Sequence, residues 1–234
     1  EMCIRDSHTY EQSEFYVSLS EADKDLLYHV LSPEEASLFF DNLEIDEEDY
    51  DELFDQMDSR YAAEMIGKMQ YDNSVDILNQ LPKAKVTTFL ALMDKQDAKE
   101  IRGLLNYEED TAGGIMTTEF VSLTSLMTVR EAMRHLKEVA PTSETIYYVF
   151  IVDEERKLAG IMSLRELIIA DDDEYIGDIM NERVVSVLVS DDQEEVAQIM
   201  RDYDFLALPV LDYQDHLVGI ITADDIMDVI DEEA

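Results

Sequence analysis

Val149-Phe-Ile-Val-Asp-Glu-Glu-Arg-Lys-Leu-Ala-Gly-Ile-Met-Ser163 aligns without a gap on Leu208-Pro-Val-Leu-Asp-Tyr-Gln-Asp-His-Leu-Val-Gly-Ile-Ile-Thr222. The offset is constant at 59 residues, from Asp153 to Asp212 and from Gly160 to Gly219. Each stretch reads as strand, polar turn, strand, because β-branched runs flank a cluster of turn-forming residues. A helix then starts at Ser163 or Thr222. Each stretch is preceded by a capped helix: Thr128-Val-Arg-Glu131 runs to about Val139, and Ser190-Asp-Asp-Gln193 runs to about Tyr203. Short extended pieces, 120–123 and 184–188, stand ahead of those helices. The C-terminal half is therefore one β-α-β-β-α module written twice.

The N-terminal half has a different texture. From about residue 20 to 106, apolar residues recur three and four apart, which is the helical period. Ser32-Pro-Glu-Glu35 is a capping box with proline at the first helical position, ahead of Leu38, Phe39, Phe40 and Leu43. Asp58 or Ser59 opens a segment carrying Met65, Ile66 and Met69. Asp72 is expected to cap 73–81, Pro82 to restart the chain into 86–93, and Asp94-Lys-Gln-Asp97 to open a helix toward Leu105. Period-two alternation is absent. The expected fold is α+β: an all-α superhelical domain of stacked short helices at 1–110, then the module copies at 111–175 and 176–234. Tyr107-Glu-Glu-Asp-Thr-Ala-Gly-Gly114 reads as the joint. Residues 1–7 show no periodicity and read as a leader or a non-native sequence end.

Composition narrows the function. The chain has 234 residues, 46% of them hydrophobic, enough to fold; 56 acidic against 17 basic residues leave a net charge of -39. With a pI near 4.1, the surface repels phosphate backbones and anionic headgroups. Nucleic acid is excluded as a partner and cations are favoured, with a solubility coat as the bland alternative. The lone Cys3 forms no internal disulfide. No apolar run approaches the ~20 residues of a membrane-spanning helix. His8, His29, His135 and His216 sit in unrelated segments without a nucleophile, and Gly67-Lys-Met lacks the rest of a phosphate loop. No enzyme is expected.

Ile115-Met-Thr117 and Ile179-Met-Asn181, with the Gly-hydrophobic-hydrophobic-Ser/Thr endings, make the repeat similar to a tandem pair of cystathionine-β-synthase (CBS) domains. Glu109-Asp-Thr-Ala-Gly-Gly-Ile-Met-Thr117 ahead of such a pair, behind acidic helices, resembles the cytosolic half of MgtE-type magnesium channels. Ser163-Leu-Arg-Glu-Leu-Ile-Ile-Ala170, Asp192-Gln-Glu-Glu-Val-Ala197 and Asp202-Tyr-Asp-Phe205 strengthen the match. The resemblance covers roughly residues 20–234. It implies a Mg2+-sensing module at the cytoplasmic face of the cell membrane, lacking the family's transmembrane pore domain and homodimeric through its CBS domains. An adenine-nucleotide-sensing CBS module attached to another effector is the alternative.

The resemblance also implies sites. Acids shared by Mg2+ would be Asp72 and Asp76 on the helical domain, and Asp192, Glu194, Asp204, Asp225, Asp228 and Glu233 on the CBS pair. Asp72 and Asp76, four apart, are expected on one helix face. Acid runs supply such surfaces: ten acids and no base at 41–58, four at 171–174, six at 224–233. A nucleotide, ATP in particular, would be lined by Tyr148, Ser163, Arg165, Glu166, Phe205, Leu206 and Pro209. Glu166 stands where the family has aspartate.

Overall fold

Ser32 opens its helix as the local sequence dictates. Its hydroxyl accepts the Glu35 amide at 3.2 Å, Glu35 Oε2 accepts the Ser32 amide at 2.9 Å, and Pro33, with no amide to satisfy, stands at the first helical position. The computed structural model describes residues 9–41, 43, 50–140, 143 and 145–232, in two compact units divided between Asn106 and Tyr107. The expected leader at 1–7, the acids at 44–49 and Glu233 lie outside the described residues.

The N-terminal unit is helical: α1 (Thr9–Val17), α2 (Glu21–Val30), α3 (Pro33–Phe40), α4 (Tyr50–Asp55), α5 (Ser59–Ile66), α6 (Tyr71–Asn79), α7 (Lys83–Leu92) and α8 (Lys95–Leu104). Helix α1 packs on α3, α3 on α5, α5 on α7, and α6 on α8. Helices two apart in sequence thus stack into a superhelix, as in repeat proteins. Tyr16, Phe39 and Phe40 form an aromatic core with centroids 4.9–5.4 Å apart, and Phe54 meets Phe89 edge-on at 5.7 Å. Asp58 and Asp94 cap α5 and α8 as expected. Asp72 does not cap α6: the helix starts two residues earlier than expected, at Tyr71 behind Gln70, and Asp72 lies inside the first turn. Helix α1 carried too weak an apolar period to be expected.

The C-terminal unit holds two three-stranded sheets. The first copy comprises β1 (Phe120–Thr124), α9 (Val129–Val139), β2 (Thr145–Val152), β3 (Leu158–Ser163) and α10 (Leu164–Ile169). The second comprises α11 (Ile176–Ile179), β4 (Val187–Leu188), α12 (Gln193–Tyr203), β5 (Ala207–Leu211), β6 (Leu217–Thr222) and α13 (Ala223–Glu232). In each sheet the first strand runs parallel to the second, and the second antiparallel to the third. Two expectations need correction. The extended piece expected at 184–188 is a strand only at Val187 and Leu188, and the cap of α12 is Asp192, whose Oδ1 accepts the Glu194 amide at 2.9 Å, not Ser190.

Phe150 and Val152 of one sheet and Ala207, Leu211, Leu217 and Ile220 of the other form a single buried cluster. The copies also exchange their leading segments. Thr117, in the leading segment of copy one, pairs with Ile220 of copy two through bonds of 2.9 and 3.0 Å; Asn181, in the leading segment of copy two, pairs with Ile161 of copy one through two of 3.0 Å. Glycines make room for this. A Cβ on Gly160 would lie 2.6 Å from Met180 Sδ, and one on Gly219 would lie 2.5 Å from Met116 Sδ. The joint read from sequence as 107–114 is therefore not a free connector, and neither is the boundary between the copies at 175–176. Ala112 and Gly113 donate to Asp191 and Val189 of copy two; Ile176 and Gly177 donate to Met127 and Ser125 of copy one. Each position in one set stands 64 residues from its equivalent in the other.

Gly114 packs so closely that a Cβ would collide with the carbonyl oxygens of Glu108 and Glu109, whereas Gly103 in α8 meets nothing within 4 Å. Gly114→Ala should destabilise the chain by about 1–3 kcal/mol, the scale of overpacking. Gly103→Ala should stabilise it by about 0.5–1 kcal/mol through helix propensity. Chemical denaturation followed by circular dichroism checks both.

Candidate functional site

The residues assigned to a nucleotide are divided between the two copies, Tyr148, Ser163, Arg165 and Glu166 in the first and Phe205, Leu206 and Pro209 in the second. Tyr148 stands in β2 directly across from Ser163 in β3, half-buried against the cluster that contains Phe150 and Ala207. Ser163 caps α10: its hydroxyl accepts the Glu166 amide at 3.2 Å, and Glu166 Oε2 accepts both the Ser163 amide at 2.7 Å and its hydroxyl at 2.8 Å. Arg165, between them, is exposed. From the second copy, Asp204 turns the chain out of α12 in the left-handed conformation, φ 54°. Phe205 then stacks on Tyr203 at 5.2 Å, and Leu206 is 51% exposed. Pro209 is buried within β5 opposite Ile220.

By residue type the set offers aromatic and aliphatic surface for a planar ring, a hydroxyl and a carboxylate for a sugar, and one guanidinium for an anion. Both bonds that Glu166 accepts from Ser163 go to Oε2. Two surface grooves lie elsewhere: one of about 450 Å³ beside Leu126 and His135, one of about 430 Å³ beside Phe54 and Lys85. Neither contains a candidate residue.

The acids assigned to a metal are more dispersed. On α6, Asp72 is buried at 7% exposure and accepts the Asn73 amide at 2.9 Å, while Asp76 is exposed. Four-residue spacing thus places them on one helix without giving them the same surroundings. Asp192 and Asp204 flank the 11-residue α12, about 18 Å apart at 1.5 Å per residue. They cannot share an ion within one chain. Glu194 is exposed in the first turn of α12. Asp225 Oδ2 accepts the Thr222 amide at 2.9 Å and hydroxyl at 2.6 Å; Asp228 follows on α13, its side chain outside the described residues. Among the described residues no three His, Cys, Asp or Glu side chains converge on a metal position.

Two charged groups in the structure carried no sequence signal of their own. Asp41, one of ten acids in its run, caps α3 and accepts the Gln70 amide at 3.0 Å, so it ties α3 to the start of α6. Burial raises its pKa from 3.8 to about 6, against the lowering by Gln70 and Asn73. Lys85 is held by Asp51 and by Asp55 Oδ1 at 2.8 Å. Burial would lower its pKa, but these two carboxylates raise it.

The chain matches family models at both ends: the MgtE intracellular N domain over residues 7–110 and the CBS domain over 112–173 and 176–232. It is 55% identical to the magnesium transporter MgtE of Enterococcus faecalis over 227 residues, 97% of this chain and 50% of that protein. It is 47% identical to the magnesium transporter MgtE of Thermus thermophilus over 166 residues, 70% of this chain and 37% of that protein. The chain thus spans half or less of the length of these curated relatives. Among solved structures it resembles the soluble part of a magnesium transporter, with TM-score 0.95 and 54% identity over 99% of this chain and 90% of that one. It also resembles the cytosolic domain of the Mg2+ channel MgtE in complex with ATP, with TM-score 0.89 and 36% identity over 97% and 92%. No helix among the described residues is long and apolar enough to cross a membrane.

Asp41 supplies a pH test. Its raised pKa favours the protonated form in the folded state, so its contribution to stability is fully present below about pH 4 and is lost as pH rises through about 6. Asp41→Asn keeps the acceptor without the charge. Relative to the unaltered chain it should be neutral at pH 4 and stabilising by about 1–3 kcal/mol at pH 7, read from denaturation midpoints across that range.

Proposed function

The chain belongs to the MgtE family, and on that premise we propose that it is the Mg2+-sensing regulatory module of a magnesium channel. In this reading Mg2+ bridges acidic faces of the N domain and the CBS pair and thereby closes the gate of the pore domain, with ATP in the CBS cleft as modulator. The observation that carries it is the likeness along 99% of the chain to the soluble part of a magnesium transporter, joined to a net charge of -39. The module would work as a homodimer paired through its CBS domains, at the cytoplasmic face of the membrane, and without catalysis.

The donor chemistry fits. Mg2+ takes carboxylate oxygens, keeps several of its waters and seldom receives a complete protein cage. One or two carboxylates from each surface suffice, so the dispersal of the acids is no obstacle. On the N domain those would be Asp72 and Asp76; on the CBS pair, Asp192, Glu194, Asp204, Asp225, Asp228 and Glu233. Without the ion these surfaces repel: two unit charges 4 Å apart cost about 1 kcal/mol in water and about 4 near a protein surface. Shifting an open–closed equilibrium from 1:99 to 99:1 takes about 5.5 kcal/mol, within reach of a few weakly held divalent ions.

The cleft supports ATP in the same module. Tyr148 and Phe205, with Leu206 and Pro209, offer the ring surface; Ser163 and Glu166 face the sugar; Arg165 meets phosphate. Support comes from the ATP complex of the 36% identical cytosolic domain and from the exposure of Arg165 and Leu206.

Small-angle scattering should show the chain compacting as Mg2+ rises through the millimolar range, and Asp72→Asn with Asp76→Asn should shift the transition to higher Mg2+. Superimposable profiles with and without Mg2+ would sink the gating reading. Calorimetric titration should give heat with ATP, and Arg165→Ala should weaken it by about 10- to 100-fold, the worth of a charge-assisted hydrogen bond. No heat from the unaltered chain would remove ATP from the scheme.

A further inference from the structure

The two docks for the exchanged segments differ at one register position. On copy one, four backbone bonds fasten 172–177: Val129 N to Glu174 O at 2.9 Å, Arg130 N to Asp172 O at 3.1 Å, Ile176 N to Met127 O at 2.8 Å and Gly177 N to Ser125 O at 2.9 Å. The Arg130 guanidinium adds ion pairs to Asp172 at 3.3 Å and Asp173 at 3.1 Å. On copy two, 64 residues away at each position, the equivalent bonds are Gln193 N to Asp110 O at 3.1 Å, Ala112 N to Asp191 O at 2.8 Å and Gly113 N to Val189 O at 3.0 Å.

Glu194 occupies the place of Arg130, and its amide turns to its own cap, Asp192 Oδ1, at 2.9 Å. Glu108 and Glu109 occupy the places of Asp172 and Asp173, and all three glutamates are exposed. Where one dock sets a cation against two carboxylates, the other sets an anion at the same register. The fold is repeated and the electrostatic sign is inverted.

We propose that residues 107–113 form a charge-set latch, held on copy two by backbone bonds and loosened by Glu194 against Glu108 and Glu109, while 172–177 stays fastened to copy one. The latch follows directly on the N-terminal unit, which ends at Asn106. Its release would lengthen the connection to the CBS pair by up to about 25 Å, at ~3.3–3.6 Å per extended residue. The ionic composition around the second copy thereby sets how long a tether the N-terminal unit has. This goes beyond the magnesium reading and does not depend on it.

Residue-resolved amide hydrogen exchange on the whole chain, in EDTA without divalent cations, tests the latch. Exposed charges are screened by salt. Raising NaCl should therefore slow exchange at Ala112 and Gly113, where repulsion is relieved, and quicken it at Ile176 and Gly177, where attraction is weakened. At low salt Glu194→Arg should slow exchange at Ala112 and Gly113 about three- to tenfold, the effect of one or two exposed pairs. Glu108→Gln with Glu109→Gln should act in the same direction, separating charge from any local disturbance at the helix start. The proposal is overturned if both docks move the same way with salt, or if both variants leave Ala112 and Gly113 unchanged. Because no divalent ion is present, either result leaves the magnesium reading standing.

Discussion

The C-terminal unit depends on a reciprocal debt between its two halves: each lacks a neighbour for its last strand, and each supplies that neighbour to the other. Thr117 completes the edge of β6, and Asn181 completes the edge of β3. An unpaired strand edge is a run of unsatisfied donors and acceptors, so neither half is finished alone. The hairpin tips are joined as well, with Leu158 N to Asp215 O at 3.3 Å and Leu217 N to Arg156 O at 3.2 Å. The shared cluster around Phe150 and Ile220 then becomes one core. Gly160 and Gly219 are demanded by this arrangement, because Met180 and Met116 occupy the space that a side chain would need.

Within that symmetry the equivalent positions have diverged. The offset between equivalent residues falls from 64 through the first helix to 59 after it, since the first copy has five more residues between the end of α9 and Tyr148, the equivalent of Ala207. The second copy turns the same corner tightly, through Asp204 at positive φ, and so presents Phe205 and Leu206. On the far side, the positions of Ser163, Arg165 and Glu166 recur as Thr222, Asp224 and Asp225. Arg165 thus places a positive charge where its equivalent, Asp224, places a negative one. The same hydroxyl-carboxylate cap serves both, so the difference lies in one charged neighbour.

Much of this was legible in the sequence where the cause is local. The capping boxes at Ser32, Thr128 and Ser163 are contained within four residues, and all three form. The 59-residue repeat fixed β2, β3, β5 and β6 because β-branched runs around a polar turn have few alternatives. Local reading failed where several residues could serve: Asp192 rather than Ser190 caps α12, and Gln70 precedes α6. The strand at β4 is short because its register with β5 holds only at Val187 and Leu188, which Val184 and Val185 could not reveal. The exchange of segments was invisible, since it joins residues 20 to 103 apart in sequence. The site stood in the same position. The identities of Tyr148, Arg165 and Phe205 came through resemblance, whereas the burial that raises Asp41 and the split between buried Asp72 and exposed Asp76 come from tertiary packing.

The glycine-methionine exchange has a consequence for how such a unit could begin. A single copy carries a leading segment that cannot dock on itself and a β-edge that its own leader does not reach. Two identical copies on separate chains would satisfy each other by the same bonds, with a true twofold axis in place of the approximate one. The tandem chain is arranged as such a pair made covalent, and the differences that set Arg130 against Glu194 and Arg165 against Asp224 are ones that a symmetric pair could not hold, because it must carry every change twice.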